Sequence, residues 1–326
     1  MNPGERAAVV VIGAGPAGVG VAVGLARRGV GRVVVAERRQ SVGGVPALYR
    51  KESGDVPTFL LWTRGRVLFG EQLAERLAGK LPAAGVEVWL ESQVIEIFPR
   101  EKRISLVSPM RGKLDLLAEA VVLASGARER TPAERAYITG SRPGRVLFTK
   151  NLLELAAKST LPSAESPVIL GSDLIAYALS AKLKAAAAAE AAIVDRSRGP
   201  QCSLPARIYF RRWAKPSYYH AHEVRVAGRR SVSAIGLPDG RQLRCDRLLI
   251  SGELTPSSEL ALMAGLRVEL RSRRPVVNSS YQLSEPGWFA AGNILGGNHG
   301  AEWCYRNGLR VAACVARYLR SVRAAR

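Results

Sequence analysis

The sequence has few of the residues that mark several protein classes. Aromatic residues make up 6% of the 326 residues, histidine occurs three times, and no two of the four cysteines form a Cys-x-x-Cys pair. The missing pair argues against a redox-active dithiol and against a cysteine-ligated iron–sulfur cluster. The thiols therefore fit a cytoplasmic protein with incidental cysteines.

Long apolar runs are also missing. No stretch of about 20 apolar residues is free of charge, so we predict no membrane span. The apolar start at 7–12 is broken at once by Gly13-Ala14-Gly15-Pro16, which argues against a secretory signal peptide.

The chain is strongly basic, with a formal net charge of +21. Basic residues occur in ones and twos and no nucleic-acid-binding motif accompanies them, so we predict no nucleic-acid partner. The charge fits either arginines spread over the surface or contact with an anionic cofactor, an anionic substrate or an acidic partner subunit. With 47% hydrophobic residues and 32 glycines, the chain can form a buried α/β core, and its length suggests two domains.

The first part of the chain predicts a βαβ unit. Ala7–Ile12 is a continuous apolar run typical of a buried parallel strand, and Gly13–Gly18 is a loop. Val19–Arg28 predicts a helix and Val33–Glu37 the next strand.

The glycine loop predicts a dinucleotide site. Gly13 allows a tight turn, Gly15 lets a pyrophosphate approach the backbone, and Gly18 permits close packing of helix on strand. Phosphates would then face the helix N-terminus, where free N–H groups favour negative charge. Glu37 ends the second strand, where its carboxylate can accept hydrogen bonds from ribose hydroxyls.

A second βαβ unit predicts an internal repeat. Val168–Leu170 predicts a strand, Gly171 the turn, Ile175–Ala192 an alanine-rich helix, and Ile193–Asp195 the following strand. Two dinucleotide-type units in one chain are therefore expected.

The glycine loop of the second unit is altered. Ala176 stands in place of the third glycine, and Asp173 in place of the second. A carboxylate there adds a side chain and a like charge facing a phosphate, which would cost on the order of 1–3 kcal/mol. Asp195 stands where a ribose-binding acid would favour NAD over NADP. The sequence favours a unit that keeps the fold and has lost the cofactor, so NAD(P)H binding is doubtful.

Three further segments resemble those of a known superfamily. They are Gly43-Gly44, the segment 121–130 (Val-Val-Leu-Ala-Ser-Gly-Ala-Arg-Glu-Arg) and the segment 286–293 (Pro-Gly-Trp-Phe-Ala-Ala-Gly-Asn). Together with the first glycine loop they resemble the pyridine nucleotide–disulfide oxidoreductase superfamily, the flavoproteins with two dinucleotide-binding domains.

The resemblance implies an α/β fold of two Rossmann-like three-layer domains, the second inserted into the first. Residues 1–130 and 246–326 would form the FAD-binding domain, and 131–245 the NAD(P)-binding-like domain.

A closer resemblance is to the FAD subunits of hydroxyproline, opine and proline dehydrogenases and of hydrogen cyanide synthase. It rests on the segments 126–130, 142–146 and 292–295 and on Glu302. It implies FAD as cofactor and a small amine or imino acid as substrate. It also implies a second oxidoreductase subunit or an electron-transfer protein as partner. Several members carry cysteine-rich iron–sulfur modules, which this sequence lacks.

The resemblance also implies site residues. FAD would be held by residues of the glycine loop, the end of the second strand, the Gly-Gly loop, the predicted strand at 93–98, the 121–130 segment and the C-terminal segment: Gly13, Gly15, Pro16, Ala17, Gly18, Glu37, Arg38, Gly43, Gly44, Val94, Ser125, Gly126, Gly292, Asn293 and Ala301. Asn293 replaces the aspartate usual in the family and can still bond to a hydroxyl.

The catalytic candidates are His299 and Glu302, beside the predicted last helix at 300–323. His299 is a candidate proton-transfer group, although a loop-capping role is favoured slightly over it. Cys304 is interpreted as a buried spectator thiol, since no partner cysteine exists. Tyr49-Arg50-Lys51 and Trp62-Thr63-Arg64 fit either an anionic substrate site or a solvated basic face. His220 and His222 lack a third ligand nearby in sequence, so we predict no metal site.

Three functions remain open. The first is an FAD-dependent oxidoreductase that transfers a hydride between an amine or imino acid and flavin. The second is an NAD(P)H-dependent flavin reductase without a redox dithiol. The third is a non-catalytic FAD-binding subunit of a larger oxidoreductase complex.

Overall fold

The structure, a computed structural model, describes residues 5–61, 65–156, 163–186 and 189–325. The chain forms two compact units. The first unit comprises Met1–Ala47, Phe59–Arg128 and Leu254–Arg326, and the second comprises Leu48–Thr58 and Glu129–Glu253.

The strands in chain order are β1 (Glu5–Ile12), β2 (Val33–Ala36), β3 (Phe59–Leu61), β4 (Arg66–Leu68), β5 (Glu87–Trp89), β6 (Gln93–Phe98), β7 (Arg103–Ser108), β8 (Gly112–Leu123), β9 (Ala127–Glu129), β10 (Ile138–Gly140), β11 (Val146–Phe148), β12 (Pro167–Leu170), β13 (Ala192–Asp195), β14 (Ser217–His220), β15 (Val224–Gly228), β16 (Val232–Gly236), β17 (Gln242–Arg244), β18 (Arg247–Ile250), β19 (Leu254–Pro256) and β20 (Trp288–Ala290).

The α-helices are α1 (Pro16–Ala26), α2 (Gly70–Ala78), α3 (Lys80–Ala83), α4 (Pro132–Arg135), α5 (Thr149–Ala156), α6 (Leu174–Ala185), α7 (Leu204–Phe210), α8 (Glu259–Met263) and α9 (Ala301–Ala324). Short 3-10 helices lie at Pro46–Leu48, Lys51–Ser53 and Gly292–Leu295.

The first unit is built on a parallel sheet in the order β5-β2-β1-β8-β20. The N-terminal half of β8 pairs antiparallel with β7, which pairs with β6. Alternate residues of β1 point to opposite faces: Val9 and Val11 join one apolar cluster, and Val10 and Ile12 the other. The continuous apolar run of β1 follows from burial on both faces.

Helices α1 and α9 pack closely against each other on one face of this sheet. A Cβ placed on Gly308 would collide with the carbonyl oxygen of Ala17, and one on Gly20 with that of Tyr305. A Cβ on Gly24 would lie 2.7 Å from the Cβ of Ala312. The start of α1 contacts the start of α9, and Gly24 further along α1 contacts Ala312 further along α9. The helices therefore run in the same direction and begin at the same end of the sheet.

The second unit has its own five-stranded sheet, in the order β11-β18-β12-β13-β14, with every pairing parallel. Helix α6 follows β12 and leads back to β13. A separate four-stranded sheet, β10-β15-β16-β17, shares an apolar core with it through Val168, Leu170, Val226 and Ile235.

The segment 48–58 belongs to the second unit although the chain on either side of it belongs to the first. Asp55 is buried and accepts a hydrogen bond from Lys182 of α6, with 2.8 Å between Oδ2 and Nζ. Burial lowers the pKa of the Lys182 ammonium, and the charge of Asp55 opposes that shift. The hydroxyl of Tyr209 donates to the carbonyl of Pro57 at 2.9 Å.

The predicted α/β fold class is confirmed, while several predicted boundaries are wrong. Arg247–Ile250 lies between β11 and β12 in the second unit's sheet, so residues 246–253 do not belong to the first unit as predicted. The helix predicted over 175–192 ends at Ala185, since the chain must reverse before Ala192 opens β13.

The apolar and charged residues over 70–85 have helical periodicity and predict one helix, but the structure has two helices there, α2 and α3, which meet at Gly79. Pro82 follows closely, and its ring would clash with the carbonyl four residues earlier in a continuous helix.

The α1–α9 contact leads to a stability prediction. Gly308→Ala should lower the free energy of unfolding by roughly 1–3 kcal/mol, because the new methyl group has no space against Ala17. Gly79→Ala is the matched control, because a Cβ there lies 3.5 Å from the nearest atom, the Glu75 oxygen. It should change stability by less than about 1 kcal/mol. Denaturant unfolding measures both, and equal stability of the two variants would contradict this packing.

Candidate nucleotide-binding site

The loop after β1 and the first turn of α1 each contain a glycine that the fold itself requires. Gly13 has φ +107°, and a Cβ there would lie 2.6 Å from the carbonyl oxygen of Ala124. A Cβ on Gly18 would collide with the carbonyl oxygen of Gly13. These two positions need glycine for the turn and for helix-to-strand packing.

Gly15 differs from its neighbours. Its φ of −71° and ψ of 178° suit any residue, and the nearest atom to an added Cβ is the Cα of Gly44 at 4.0 Å. It is the N-cap of α1, and no side chain caps the helix. The N-terminus of α1 is thus open, with Pro16 and buried Ala17 as its first helical residues.

Glu37, directly after β2, is held beside this loop. Its Oε2 accepts a hydrogen bond from the N–H of Ala14 at 2.7 Å, and its Oε1 one from Arg39 at 2.9 Å. The residue is buried, while Arg38 next to it is exposed. Val94 buries its side chain in the apolar cluster on one face of the sheet.

Two other segments predicted for the site approach the glycine loop. Gly43 donates its N–H to the carbonyl of Ala14 at 2.9 Å, and a Cβ on Gly44 would lie 3.0 Å from the Cα of Gly15. Ser125, which follows β8, donates its hydroxyl to Ser257 at 2.7 Å, while Gly126 accepts from the Ser257 N–H at 3.0 Å.

The C-terminal segment contacts the same helix. Gly292 lies against α1, since its added Cβ would be 2.5 Å from that of Ala17, and its N–H donates to buried Asn307 at 2.7 Å. Asn293 exchanges two hydrogen bonds of 3.1 Å with the backbone of His299. Its amide therefore closes the turn before α9, a role that the sequence did not reveal.

Helix α9 also begins without a side-chain cap. Its N-cap is Gly300, and no atom lies within 4 Å of a Cβ placed there. The ring of His299 is exposed and stacks on Trp303, with centroids 3.7 Å apart. Glu302 pairs with Arg306 at 2.9 Å. Of the two catalytic candidates, His299 has the accessible ring, whereas the Glu302 carboxylate is held by a guanidinium.

The thiol of Cys304 is buried one turn into α9, 3.7 Å from the carbonyl oxygen of His299. Burial raises its pKa to about 12. A thiol that stays protonated at neutral pH is a poor nucleophile, which supports its interpretation as a spectator.

The second unit carries the altered copy of the same frame, a strand followed by a glycine loop, a helix and a second strand. A cavity of about 490 Å³ lies at the carboxyl ends of β12, β13 and β18 and is lined in part by Gly171, Ser172, Asp173, Asp195, Ser251 and Glu253. Asp173 is the N-cap of α6, and its Oδ1 accepts a hydrogen bond from the Ala176 N–H at 3.1 Å.

The remaining candidates lie apart from these sites. Tyr49 is buried in the second unit, so it does not form part of an exposed basic face. The predicted segment Trp62-Thr63-Arg64 lies outside the described residues. His220 bonds through Nδ1 to the carbonyl of Ser197 at 3.0 Å.

The described ranges contain neither a candidate metal cluster nor a helix that could span a membrane. No group of three or more His, Cys, Asp or Glu side chains there could hold a metal ion. In the same part of the chain, every helix is too short or too polar to cross a membrane.

Two units, each with a strand–glycine loop–helix–strand frame, define a class of Rossmann-type nucleotide-binding proteins. Residues 7–317 match the family model described as pyridine nucleotide-disulphide oxidoreductase. The chain belongs to this family, whose members are oxidoreductases that in general depend on flavin. The predicted superfamily is therefore confirmed.

Solved structures show the same fold. Thioredoxin reductase from T. acidophilum is 18% identical with a TM-score of 0.74, and the match covers 98% of this chain and 99% of that one. L-proline dehydrogenase from P. horikoshii is 21% identical with a TM-score of 0.69, covering 98% and 59%. Putidaredoxin reductase in its covalent complex with putidaredoxin is 20% identical with a TM-score of 0.68, covering 96% and 75%.

The chain thus spans 59% of the length of the proline dehydrogenase chain that it resembles. A search of curated proteins finds none that matches.

The cysteines give a prediction about reactivity. Burial raises the pKa of Cys202 to about 11 and those of Cys245 and Cys304 to about 12. At about pH 9 these three thiols should stay protonated and resist iodoacetamide, while the partly exposed Cys314 reacts first. Peptide mass spectrometry after timed labelling measures the order.

Unfolding in denaturant is the control, because all four thiols should then react alike. Labelling of Cys304 in the folded protein as fast as that of Cys314 would contradict its burial and point to an activated thiol.

Proposed function

We propose that the first unit binds FAD at the Gly13–Gly18 loop and that the protein is an FAD-dependent oxidoreductase. It would transfer a hydride between flavin and a small metabolite of the amine or imino acid class. The single observation that carries the proposal is Gly15, whose backbone and surroundings in the protein do not require glycine. The missing side chain leaves room in front of an uncapped helix, where an anionic pyrophosphate is favoured.

The neighbouring residues fit the rest of the same cofactor. Glu37 is fixed beside the loop by two backbone N–H groups, and its oxygens retain lone pairs for a ribose hydroxyl. The backbones at Gly44 and Gly292 lie against Gly15 and Ala17, so that the Gly-Gly loop and the C-terminal segment border the helix N-terminus. These contacts support a cofactor site at the N-terminus of α1.

FAD, when bound, supplies a two-electron acceptor for hydride. The uncapped N-terminus of α9 offers N–H groups and the positive end of a helix dipole, which stabilise negative charge on a reduced cofactor. His299 is the candidate to accept a proton from an amine substrate, through its exposed ring. Glu302, paired with Arg306, contributes by keeping the start of α9 in place.

The proposed substrate class is supported by sequence segments that resemble amine-oxidising subunits and by the lack of a Cys-x-x-Cys pair in the sequence. The segments 126–130, 142–146 and 292–295 resemble those of amine- and imino-acid-oxidising subunits, and the fold likeness to L-proline dehydrogenase agrees with that class. No two cysteines form a Cys-x-x-Cys pair, so a dithiol relay like that of a disulfide reductase is not supported.

A second candidate function is a flavin-binding subunit that passes electrons to another protein. It is favoured by the likeness to putidaredoxin reductase bound to putidaredoxin and by the net charge of +21, which suits an acidic partner. Reduction by NAD(P)H is the third candidate, because members of the family generally bind both FAD and NAD(P)H.

The cofactor proposal predicts the effect of Gly15→Ala. The methyl group meets no protein atom closer than 4.0 Å, so the apoprotein should melt at the wild-type temperature. The affinity for FAD should fall by roughly 10-fold or more, because the methyl group stands where the pyrophosphate approaches. Fluorescence titration of apoprotein with FAD measures the affinity.

Gly199→Ala is the matched control, since its added Cβ is equally unobstructed but lies in the second unit. It should retain most of the FAD affinity. Gly13→Ala should lose both stability and FAD, because it disturbs the turn itself. Unchanged FAD affinity in Gly15→Ala would place the cofactor elsewhere.

The reaction class predicts which compounds reduce the protein. Under anaerobic conditions, FAD-loaded protein should lose its visible absorbance with one or more members of a panel of cyclic imino acids and small amines. His299→Ala should slow this bleaching while leaving FAD content unchanged. Bleaching by NADH or NADPH alone would reject the amine proposal in favour of the reductase.

A further inference from the structure

We infer that Asp173 closes the nucleotide frame of the second unit to NAD(P)H, because its carboxylate takes the place of a phosphate at the N-terminus of α6. The inference concerns the second unit alone and does not depend on FAD binding to the first. It makes Asp173 the residue that determines which ligands this frame rejects.

The two frames have the same backbone. Gly171 has φ +108° and Gly13 φ +107°, and each donates its N–H to the next strand of its sheet at 2.9 and 2.8 Å. A Cβ on Gly171 would collide with the carbonyl oxygen of Ser251, as one on Gly13 would lie too close to that of Ala124. The turn that receives a dinucleotide is thus preserved in the second unit.

The helix start is where the frames differ. Asp173 and Gly15 are both N-caps with almost identical backbones, φ −73° and ψ 178° against φ −71° and ψ 178°. The Oδ1 atom of Asp173 accepts hydrogen bonds from the Ala176 N–H at 3.1 Å and from the Ser251 hydroxyl at 2.9 Å. The chain's own carboxylate therefore satisfies a donor that a bound phosphate would otherwise use.

The acid at the ribose end accepts two hydrogen bonds from the chain in both frames, and the frames differ in the donors. Asp195 accepts a hydrogen bond from the Ser172 hydroxyl at 2.7 Å and from the Ser197 N–H at 2.7 Å. The Ser172 hydroxyl in turn accepts from the Gln201 N–H at 3.0 Å. In the first frame the position equivalent to Ser172 is Ala14, which has no hydroxyl to donate to Glu37.

The side chain of Asp173 and its charge, and not the size of the cavity, exclude the dinucleotide. The cavity of about 490 Å³ is within the range of small-molecule sites. Among the described residues, its lining includes the carboxylates of Asp173, Asp195 and Glu253 and the guanidinium of Arg196. Glu253 is paired with Arg135 at 3.8 Å, so Asp173 and Asp195 carry the charge that opposes a phosphate. A pyrophosphate brought to α6 would meet a fixed carboxylate at the point where the first frame offers open N–H groups. The residues of the second frame do not fit NAD(P)H.

The test is calorimetric titration of FAD-saturated protein with ADP-ribose, which carries the pyrophosphate and ribose of NAD but cannot be reduced. Wild-type protein should show no binding below roughly millimolar concentration. Asp173→Gly, which places glycine at the position equivalent to Gly15, should bind at least roughly 10-fold more tightly. Asp239→Asn is the charge-matched control, since Asp239 lies on an exposed turn of the same unit, paired with Arg241. It should behave like wild type.

Asp173→Asn separates the effect of the negative charge from the effect of a side chain standing in the phosphate position. It keeps a capping oxygen and removes the negative charge. Binding by both Asp173 variants would show that charge closes the frame, and binding by the glycine variant alone that the side chain itself does. Either result supports the inference. Thermal melting and visible absorbance confirm that each variant is folded and carries FAD.

Two results would overturn the inference. One is micromolar binding of ADP-ribose to the wild-type protein, and the other is a folded Asp173→Gly variant that binds no better than wild type. If the wild type and all variants lacked FAD but still differed in ADP-ribose affinity as expected, the result would count against the proposed function alone.

Discussion

The first N–H groups of a helix have no partners within the helix, and we propose that what stands in front of them determines what each unit of this protein can bind. At α1 the chain places Gly15 there, and the N–H groups stay open. At α6 it places Asp173, whose carboxylate fills the position. The backbones at the two N-caps are the same within a few degrees, so one side chain separates a frame that suits a pyrophosphate from one that opposes it.

The rest of the first unit keeps the open helix in place. Close contact through Gly20, Gly24 and Gly308 lets α1 and α9 run side by side in the same direction, and both begin with glycine N-caps that no side chain caps. Two positive helix ends therefore lie at one end of the sheet, beside Glu37 after β2 and His299 before α9. That arrangement suits a cofactor with an anionic pyrophosphate at one place and a redox ring at another.

Much of this could be predicted from the sequence, because both frames are local. Apolar runs, glycine spacing and the acids at the strand ends sufficed for β1, α1, β12 and the repeat, and an aspartate before a helix is itself an N-cap signal. The sequence missed what depends on distant partners: the bond from Lys182 that places Asp55 and its segment in the second unit, and the placement of β18 in that unit's sheet. It also missed the hydrogen bonds between the Asn293 amide and the His299 backbone, because nothing in the sequence indicates how the amide side chain is oriented.

We propose that two copies of one frame have diverged, one open to a dinucleotide and one closed by its own side chains. Native mass spectrometry of the protein with excess FAD and NADH tests this divergence, since it counts the ligands on each chain. We expect a mass increase of one FAD per chain with no NADH bound in addition. A chain that carries NADH, with or without FAD, would contradict it.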